Sequence, residues 1–366
     1  MSDAPMRAVD RVRSRTARAG LLGLALLLVA TPAAAEPTVR LLELPFKVRE
    51  MRGPRTEVAT AVATSGLLPI LRAGKGPVPV VLVWGEEGGA VLILENGSVA
   101  VKPVGREAVE DLVASETPRG ALPGLRRALD GPLSVFLSGR TRSADGAPAA
   151  TTLTFRERQP MAVSTDPKPV PIATATLTAG EGAVFAANPP RIVSVAGRPA
   201  VLAATLTGSD AGGLVLATRT SSDPASWTLS ARAPSGPRPA IAAVGDFTGK
   251  GTGMGAATVD STGRLTLWTL APDRIEPGPQ AAGYTIGEGE ADLAETLPRE
   301  GGADLALPVA GIPALAIVST RDGLRERARV TLPAPAGTGV AALGERLIVG
   351  LSDGRVAAIT LDGGKP

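Results

Sequence analysis

The sequence predicts an all-β fold, and three observations lead to that class. Gly and Pro account for 44 and 33 of the 366 residues, and they fall between short apolar runs. Most of these runs are about four to seven residues long, which suits strands and is too short for ordinary helices. Turn-forming residues at such close intervals are typical of many short strands joined by tight turns.

The predicted strands are the apolar runs bounded on both sides by Gly, Pro, Asp or Ser. They cover residues 78–84, 90–94, 133–137, 151–155, 192–195, 201–206, 213–218, 265–270, 315–319, 347–351 and 356–361.

Residues 105–128 interrupt this pattern. Ala108, Leu112 and Val113 share one face at helical spacing, and Leu125 and Leu129 begin a second such face. The spacing predicts a short helical insertion between β units. The alternative is a polar loop without regular structure.

The first 35 residues resemble a cleavable secretory signal peptide. An apolar run at residues 19–30 is followed by Thr31, Pro32 and three alanines ending at Ala35, and this order predicts cleavage after Ala35. Twelve apolar residues are too few for a helix that crosses a bilayer, which takes about 20. Five arginines precede the run: Arg7, Arg11, Arg13, Arg15 and Arg18.

Cleavage leaves a nearly neutral protein. Residues 1–35 contain five Arg and two Asp, so 38 basic and 35 acidic groups become 33 of each in residues 36–366. The basic surface expected of a nucleic-acid-binding protein is therefore missing. We expect no transmembrane segment after cleavage and a periplasmic or secreted location.

The chain contains no Cys and no His. These absences remove disulfides, the commonest soft metal ligands and the usual general base at neutral pH. Triads that depend on Cys or His are excluded as well. We therefore predict no catalytic, cofactor-binding or metal-binding residues.

Loose repeats occupy residues 190–361, each a pair or more of strands around a Gly-rich turn. The clearest motifs are Val244-Gly-Asp-Phe-Thr-Gly-Lys-Gly and Gly302-Ala-Asp-Leu-Ala-Leu. In these motifs the chain resembles the FG-GAP or VCBS repeat family, whose members are β-propellers. The resemblance implies a ring of four-stranded blades and a role in binding partners. Residues 36–188 fit it only by strand spacing.

The family's calcium turn supplies oxygen ligands at alternate positions around a Gly. In the first copy a Lys occupies a ligand position, and the second copy keeps two carboxylates, Glu300 and Asp304. Because calcium prefers six to eight oxygens, plain β-turns are favoured at both places. The aligned positions are Asp246, Thr248, Lys250, Gly251 and Met254 in one copy, and Thr296, Pro298, Glu300, Gly301 and Asp304 in the other.

Three further patterns are interpreted structurally. Residues 350–354 match a nucleophile elbow, but the chain has no His and a strand pattern follows, so we predict a hairpin turn. Trp84, Trp227 and Trp268 lie in apolar strands and are predicted to fill the core. Acidic residues are predicted to lie on solvated turns, namely Glu86, Glu87, Glu110, Asp111, Glu288, Glu290, Asp292 and Glu295.

Taken together, these features predict an exported β-propeller of about six or seven blades. We expect residues 36–366 to act without catalysis, as a scaffold or protein-binding module of the cell envelope. The alternative is a carboxylate-based hydrolase or lyase working in the propeller channel, since glycoside hydrolysis needs only two carboxylates. Two acidic groups that converge in the channel would favour the enzyme.

The N-terminal strand is expected to complete the last blade. A ring must join its first and last blades or leave an unpaired edge. The C-terminal unit offers only three strand candidates, and residues 38–46 form an isolated strand pattern. We predict that residues 38–46 pair with residues 356–361.

Cleavage of the leader should leave Glu36 as the first residue, because Ala33 and Ala35 supply the two small side chains that the peptidase requires. N-terminal sequencing of the protein from an envelope fraction checks this. Intact Met1 in the membrane fraction would contradict it.

Overall fold

The structure, a computed structural model, describes residues 37–65, 78–161, 169–249, 254–287 and 292–361. Within these ranges the chain forms two α-helices and 26 β-strands, which confirms the predicted all-β class. All eleven predicted strands lie within, or overlap, a strand of the structure. The predicted signal peptide lies outside the described residues.

The helices are α1 (Glu57–Thr64) and α2 (Arg106–Ala114). The strands are β1 (Thr38–Leu42), β2 (Glu50–Arg52), β3 (Val81–Gly85), β4 (Gly88–Glu95), β5 (Ser98–Val104), β6 (Ala128–Asp130), β7 (Leu133–Arg142), β8 (Pro148–Arg158), β9 (Ile172–Thr178), β10 (Val184–Ala186), β11 (Arg191–Val195), β12 (Arg198–Leu206), β13 (Ala211–Arg219), β14 (Trp227–Arg232), β15 (Gly236–Pro237), β16 (Pro239–Gly245), β17 (Gly255–Asp260), β18 (Arg264–Ala271), β19 (Arg274–Ala282), β20 (Glu295–Arg299), β21 (Gly302–Pro308), β22 (Ala314–Ser319), β23 (Arg325–Thr331), β24 (Ala336–Leu343), β25 (Arg346–Leu351) and β26 (Val356–Thr360).

Most strands belong to antiparallel meanders in which each strand pairs with the next along the chain. The first meander is β2–β5, the second β6–β9, the third β11–β14, the fourth β16–β19 and the fifth β20–β23. The sixth consists of β24–β26 with β1 as its outer strand. Strand β10 pairs with β8 and β12 and so joins the second and third meanders into one sheet.

Apolar side chains fill the space between successive meanders from the second to the sixth, and between the sixth and the first. Strand β25 shows how, because neighbouring residues of a strand point to opposite faces. Leu347 packs with Leu315 and Ile317 of the fifth meander, and Ile348 packs with the first meander. Inner strands of neighbouring meanders also contact one another: β24 lies between β2 and β20, and β16 lies between β20 and β12, the second strand of the third meander. Meanders stacked in this way have the arrangement of a β-propeller.

Helices α1 and α2 cover the face of the first meander that points away from the sixth. Val58, Val62 and Val109 pack with Leu82 and Trp84 in one apolar cluster. Helix α2 lies in the predicted helical stretch, but the second predicted helical face is wrong, because Leu129 belongs to strand β6. Helix α1 was not predicted from the sequence; it begins after Thr56, whose hydroxyl accepts a hydrogen bond from the Ala59 amide.

The predicted pairing of the two chain ends is confirmed. Strand β1 pairs antiparallel with β26, in register from Thr38 opposite Thr360 to Leu42 opposite Val356. The strand is shorter than predicted, and the chain then turns inward so that Phe46 is buried. The Val48 amide donates to the Gly354 carbonyl at 2.8 Å, which fixes this turn against the last hairpin.

No helix among the described residues is long and apolar enough to cross a membrane.

Deleting residues 38–42 should lower the free energy of unfolding, because it exposes the edge of β26 to solvent. Each backbone hydrogen bond lost costs about 0.5–1.5 kcal/mol, and a urea titration measures the sum.

The matched control replaces Val39 and Leu41 with Thr, which removes two exposed apolar side chains and keeps the backbone pairing. It should change stability by less than about 0.5 kcal/mol. A deletion variant that unfolds at the same urea concentration as the control would contradict the role of β1.

Candidate functional site

A large cavity lies where the first strands of the meanders meet. Its volume is ≈ 1200 Å³, and the loops that precede β6, β11 and β20 line it together with the segment after β2, the start of α1 and the end of β16. Eleven of the described lining residues are charged, and many of the contacts across the cavity are therefore ion pairs. They are Arg55, Glu57, Glu116, Arg126, Arg127, Asp130, Arg191, Asp246, Asp292, Glu295 and Arg299.

Asp292 connects four meanders. Its Oδ2 accepts a hydrogen bond from Arg126 Nη2 at 2.8 Å, and its Oδ1 accepts one from Arg191 Nη2 at 2.8 Å. Its carbonyl accepts the Val340 amide at 2.7 Å. Arg126 precedes β6, Arg191 begins β11, and Val340 lies in β24. One residue of the fifth meander therefore ties the second, third and sixth meanders together.

Glu295, the first residue of β20, connects the fifth meander to the first and the sixth. Its Oε1 accepts hydrogen bonds from the Thr296 amide at 2.8 Å and from Arg55. Its Oε2 accepts one from the Ala342 amide at 3.3 Å. Arg55 also donates to the Thr296 hydroxyl at 2.7 Å. Each oxygen of this buried carboxylate is therefore already held by an N–H donor.

The pKa values of Asp292 and Glu295 are shifted in opposite directions. Burial alone would raise the pKa of Asp292, but the guanidiniums of Arg191 and Arg126 outweigh it and hold the pKa far below its usual range. At Glu295 burial dominates and raises the pKa, while Arg55 and the two backbone amides offset only part of it. The different number of guanidiniums on each carboxylate accounts for the contrast.

Two more ion pairs fix the helices beside the cavity. Arg127 binds Glu57 of α1 through both carboxylate oxygens. Arg52 donates to Glu116 at 2.8 Å, with both side chains 4% exposed, and its guanidinium lies 5.0 Å from the centre of the Trp84 ring. The Arg127 amide also donates to the Glu116 carbonyl at 2.8 Å. These contacts join the first meander and its helices to the segment that enters β6.

Part of the prediction for the acidic residues is wrong. Asp292 and Glu295 were expected on solvated turns, but Asp292 is 28% exposed and Glu295 is 9% exposed, each in ion pairs. The arginines that hold them come from up to 240 residues away, so no local pattern indicates them. Glu288 and Glu290 lie outside the described residues.

The positions aligned with calcium ligands make other contacts. Asp246 Oδ1 accepts hydrogen bonds from the Thr248 amide at 3.0 Å and the Gly249 amide at 2.9 Å, which closes a turn. Asp304 is buried and pairs with Arg299 and Arg327. Glu300 is exposed, and Lys250 and Gly251 lie outside the described residues.

No group of three acidic residues placed to hold a metal ion occurs in the described part of the chain.

The hairpin turn and two of the three tryptophans take the places predicted for them, whereas Trp268 is only partly buried. Residues 350–354 span the end of β25 and the turn that leads to β26, where Gly354 has a φ of 85° that favours glycine. Trp84 and Trp227 are buried, and Trp227 stacks on Phe155 with ring centres 4.3 Å apart. Trp268 is half-buried and donates to the Thr258 hydroxyl at 2.8 Å.

No family model matches the chain. No curated protein matches it either.

Solved structures show similarity at low identity. BamB from Moraxella catarrhalis is 13% identical over 77% of this chain and 69% of its own, with a TM-score of 0.36. A luciferin-regenerating enzyme is 12% identical over 88% and 95%, with a TM-score of 0.41. The Aleuria aurantia lectin is 10% identical over 80% and 94%, with a TM-score of 0.37. At these values no activity is transferred to this chain.

The variant Asp292→Asn should be less stable by about 2–3 kcal/mol at pH 7, because it leaves two largely buried guanidiniums without their carboxylate. The folded pKa of Asp292 is lowered, so its stabilisation is complete above about pH 5 and declines as the pH falls below the ordinary Asp value of about 4. The difference from wild type should therefore shrink between pH 7 and pH 3 in urea titrations.

Asp273→Asn is the matched control, since Asp273 pairs with Arg274 but its side chain is 77% exposed. It should change stability by less than about 0.5 kcal/mol. Equal losses in the two variants would refute the structural role of Asp292.

Proposed function

We propose that this chain is an exported six-bladed β-propeller that acts without catalysis as a protein-binding or scaffolding module of the cell envelope. The six four-stranded meanders would be the blades, and β1 would close the ring on β26. Relationship to the FG-GAP or VCBS repeats forms part of this proposal. So does export to the periplasm or beyond, which follows from the leader.

The non-catalytic proposal rests on the hydrogen bonds that the carboxylates of Asp292 and Glu295 accept. Both oxygens of Asp292 and both oxygens of Glu295 accept hydrogen bonds from arginines or backbone amides. A nucleophile needs a free oxygen, and a general acid needs an acceptor for its proton. The surroundings of these two carboxylates supply donors, which suits a braced binding surface better than a reaction centre.

A second candidate is a hydrolase or lyase that uses the same cavity. Glu295 with its raised pKa and Asp292 with its lowered pKa lie in one cavity, and carboxyl groups with diverging pKa values are typical of acid and base pairs. For this candidate Arg55 would have to leave Glu295 when substrate binds. Its side chain is 64% exposed, which permits that movement.

Photo-crosslinking tests the binding proposal on the full-length protein. A photoreactive amino acid replaces Leu129, which is 42% exposed and lines the cavity, and the protein is irradiated in intact envelopes. We expect discrete crosslinked protein bands. The matched control carries the same group at Ile312, which is 46% exposed but does not line the cavity, and should lack those bands.

Identical bands at both positions, or none at Leu129, would contradict binding at the cavity. Turnover of sugar or ester substrates by the wild type, lost in Glu295→Gln, would establish the enzyme instead.

A further inference from the structure

Strand β9, the outer strand of the second meander, has an open edge. It pairs with β8, and no other described strand hydrogen-bonds to it. The Gln159 amide donates to the Pro171 carbonyl, so the odd-numbered residues of β9 direct their backbone groups toward β8. The even-numbered residues direct theirs outward, where no described residue donates to them or accepts from them. They are Ile172, Thr174, Thr176 and Thr178.

The sequence of β9 lacks the residues that usually protect such an edge. Charged side chains and prolines discourage an outer strand from pairing with another chain. Five of the six outer strands in the described part of the fold contain such a residue, and β9 contains none. The other five contain, for example, Arg40 in β1, Lys102 in β5, Arg232 in β14, Pro277 in β19 and Arg327 in β23. The edge of β9 is therefore open to a further strand.

Exposed apolar side chains gather at the N-terminal end of the same strand. Ile172, the first residue of β9, is 55% exposed, and Val170 and Met161 beside it are exposed as well. The ladder between β8 and β9 holds this end in place, because Arg158 lies opposite Ile172. Removing apolar surface from water is favourable, so a partner along this edge would gain more than backbone hydrogen bonds.

The edge is complementary to a second copy of itself. An antiparallel pairing centred on Ala175 places Ile172 opposite Thr178 of the second copy, and Thr174 opposite Thr176 of the second copy. All the outward-facing residues of β9 then lie in hydrogen-bonded pairs. Thr–Thr pairs are favourable cross-strand neighbours, and no charged side chain of the strand faces a like charge.

Charges beside β9 fit the same arrangement. Arg158, opposite the first residue of β9, and Glu181, just after its end, are exposed and make no ion pair with a described residue. In an antiparallel pair the Arg158 end of one copy meets the Glu181 end of the other. Strand β23 shows the contrast, because self-pairing about Ala328 would place Arg327 opposite Arg329. Like charges directly opposite each other are destabilising.

We infer that the chain forms a symmetric dimer in which the β9 strands of two copies pair antiparallel about Ala175 and make one continuous sheet. None of the residues of β9 lines the cavity, so this interface goes beyond the proposed binding function and does not depend on it. One pair of short strands is a small interface beside the roughly 1,200–2,000 Å² of stable complexes, so the dimer should be weak and depend on concentration.

Disulfide crosslinking of the purified protein tests the pairing and its register. The chain has no Cys, so an introduced Cys is the only thiol. The proposed pairing places Ala175 opposite Ala175 of the second copy in a non-hydrogen-bonded pair, whose Cα atoms lie about 4.5 Å apart. A disulfide requires a Cα separation of about 4.4–6.8 Å. We therefore expect Ala175→Cys to form covalent dimers under mild oxidation.

Ala328→Cys is the matched control. Ala328 is the central residue of the outer strand β23, as Ala175 is of β9, and both side chains are half-buried. Because Arg327 and Arg329 flank it, this variant should remain largely monomeric under the same oxidation. Equal yields of covalent dimer in the two variants would contradict pairing through β9.

Sedimentation equilibrium between about 1 and 200 μM measures the dimer without any crosslink. The wild type should shift from monomer toward dimer across this range. The double variant Thr174→Lys/Thr176→Lys changes two exposed side chains and places lysines opposite each other across the paired strands. It should raise the dissociation constant about tenfold, because like charges then face each other. Thr174→Gln/Thr176→Gln is the uncharged control of similar length and should dimerise like the wild type.

A wild type that is monomeric throughout this range would overturn the inference, and so would a dissociation constant that the lysines leave unchanged. The first result needs no variant. Dimers that the lysines weaken but that form no disulfide at residue 175 would overturn the register centred on Ala175.

A photoreactive group at Thr176 distinguishes a second copy from another occupant of the edge. We expect it to crosslink two copies of this chain. Capture of a different protein, with a monomeric wild type, would assign the edge to that protein and overturn the dimer. Crosslinking at Leu129 probes the cavity separately, so a failure of the dimer and a failure of the proposed binding function remain distinguishable.

Discussion

From the third meander to the sixth, each meander buries apolar side chains on two faces, and that constraint gives each of them a neighbour on both sides. Leu347 and Ile348 are adjacent in β25, yet one packs toward the fifth meander and the other toward the first. Since the sixth meander supplies only three strands from the C-terminal part, β1 provides the fourth and covers the edge of β26. Between the first and second meanders the helices and the Arg127–Glu57 pair supply the contact instead.

Much of this architecture was predictable because apolar runs mark the inner and middle strands, which lie between two packed faces. The outer strands were harder to predict. Strand β23 contains three arginines and one glutamate and only Val330 is buried in it, while β9 is exposed at every other residue. A strand that is half in solvent on an outer edge loses the continuous apolar signal. The pairing of the chain ends was predictable from topology, since an open edge is costly.

The ion pairs at the centre of the cavity could not be predicted, for a different reason. Asp292 and Glu295 lie among other acidic residues before β20, and that local setting favours a solvated turn. Their actual partners are Arg126, Arg191 and Arg55, which are separated from them by 101 to 240 residues. Ion pairs across a ring depend on where the strands lie in space, and a pattern confined to neighbouring residues holds no information about them. The same applies to Asp304, which two arginines hold.

A chain without His or Cys must build its polar centre from Arg, Asp and Glu. Partly buried ion pairs add little net stability, because desolvation offsets most of the attraction, but removing one partner is expensive. Their effect here is to fix the relative positions of the meanders at the cavity, where β16 presents only small side chains such as Ala242 and Ala243. Each oxygen of Asp292 and of Glu295 is used in that bracing, so the arrangement that rigidifies the cavity also leaves neither carboxylate with a free oxygen.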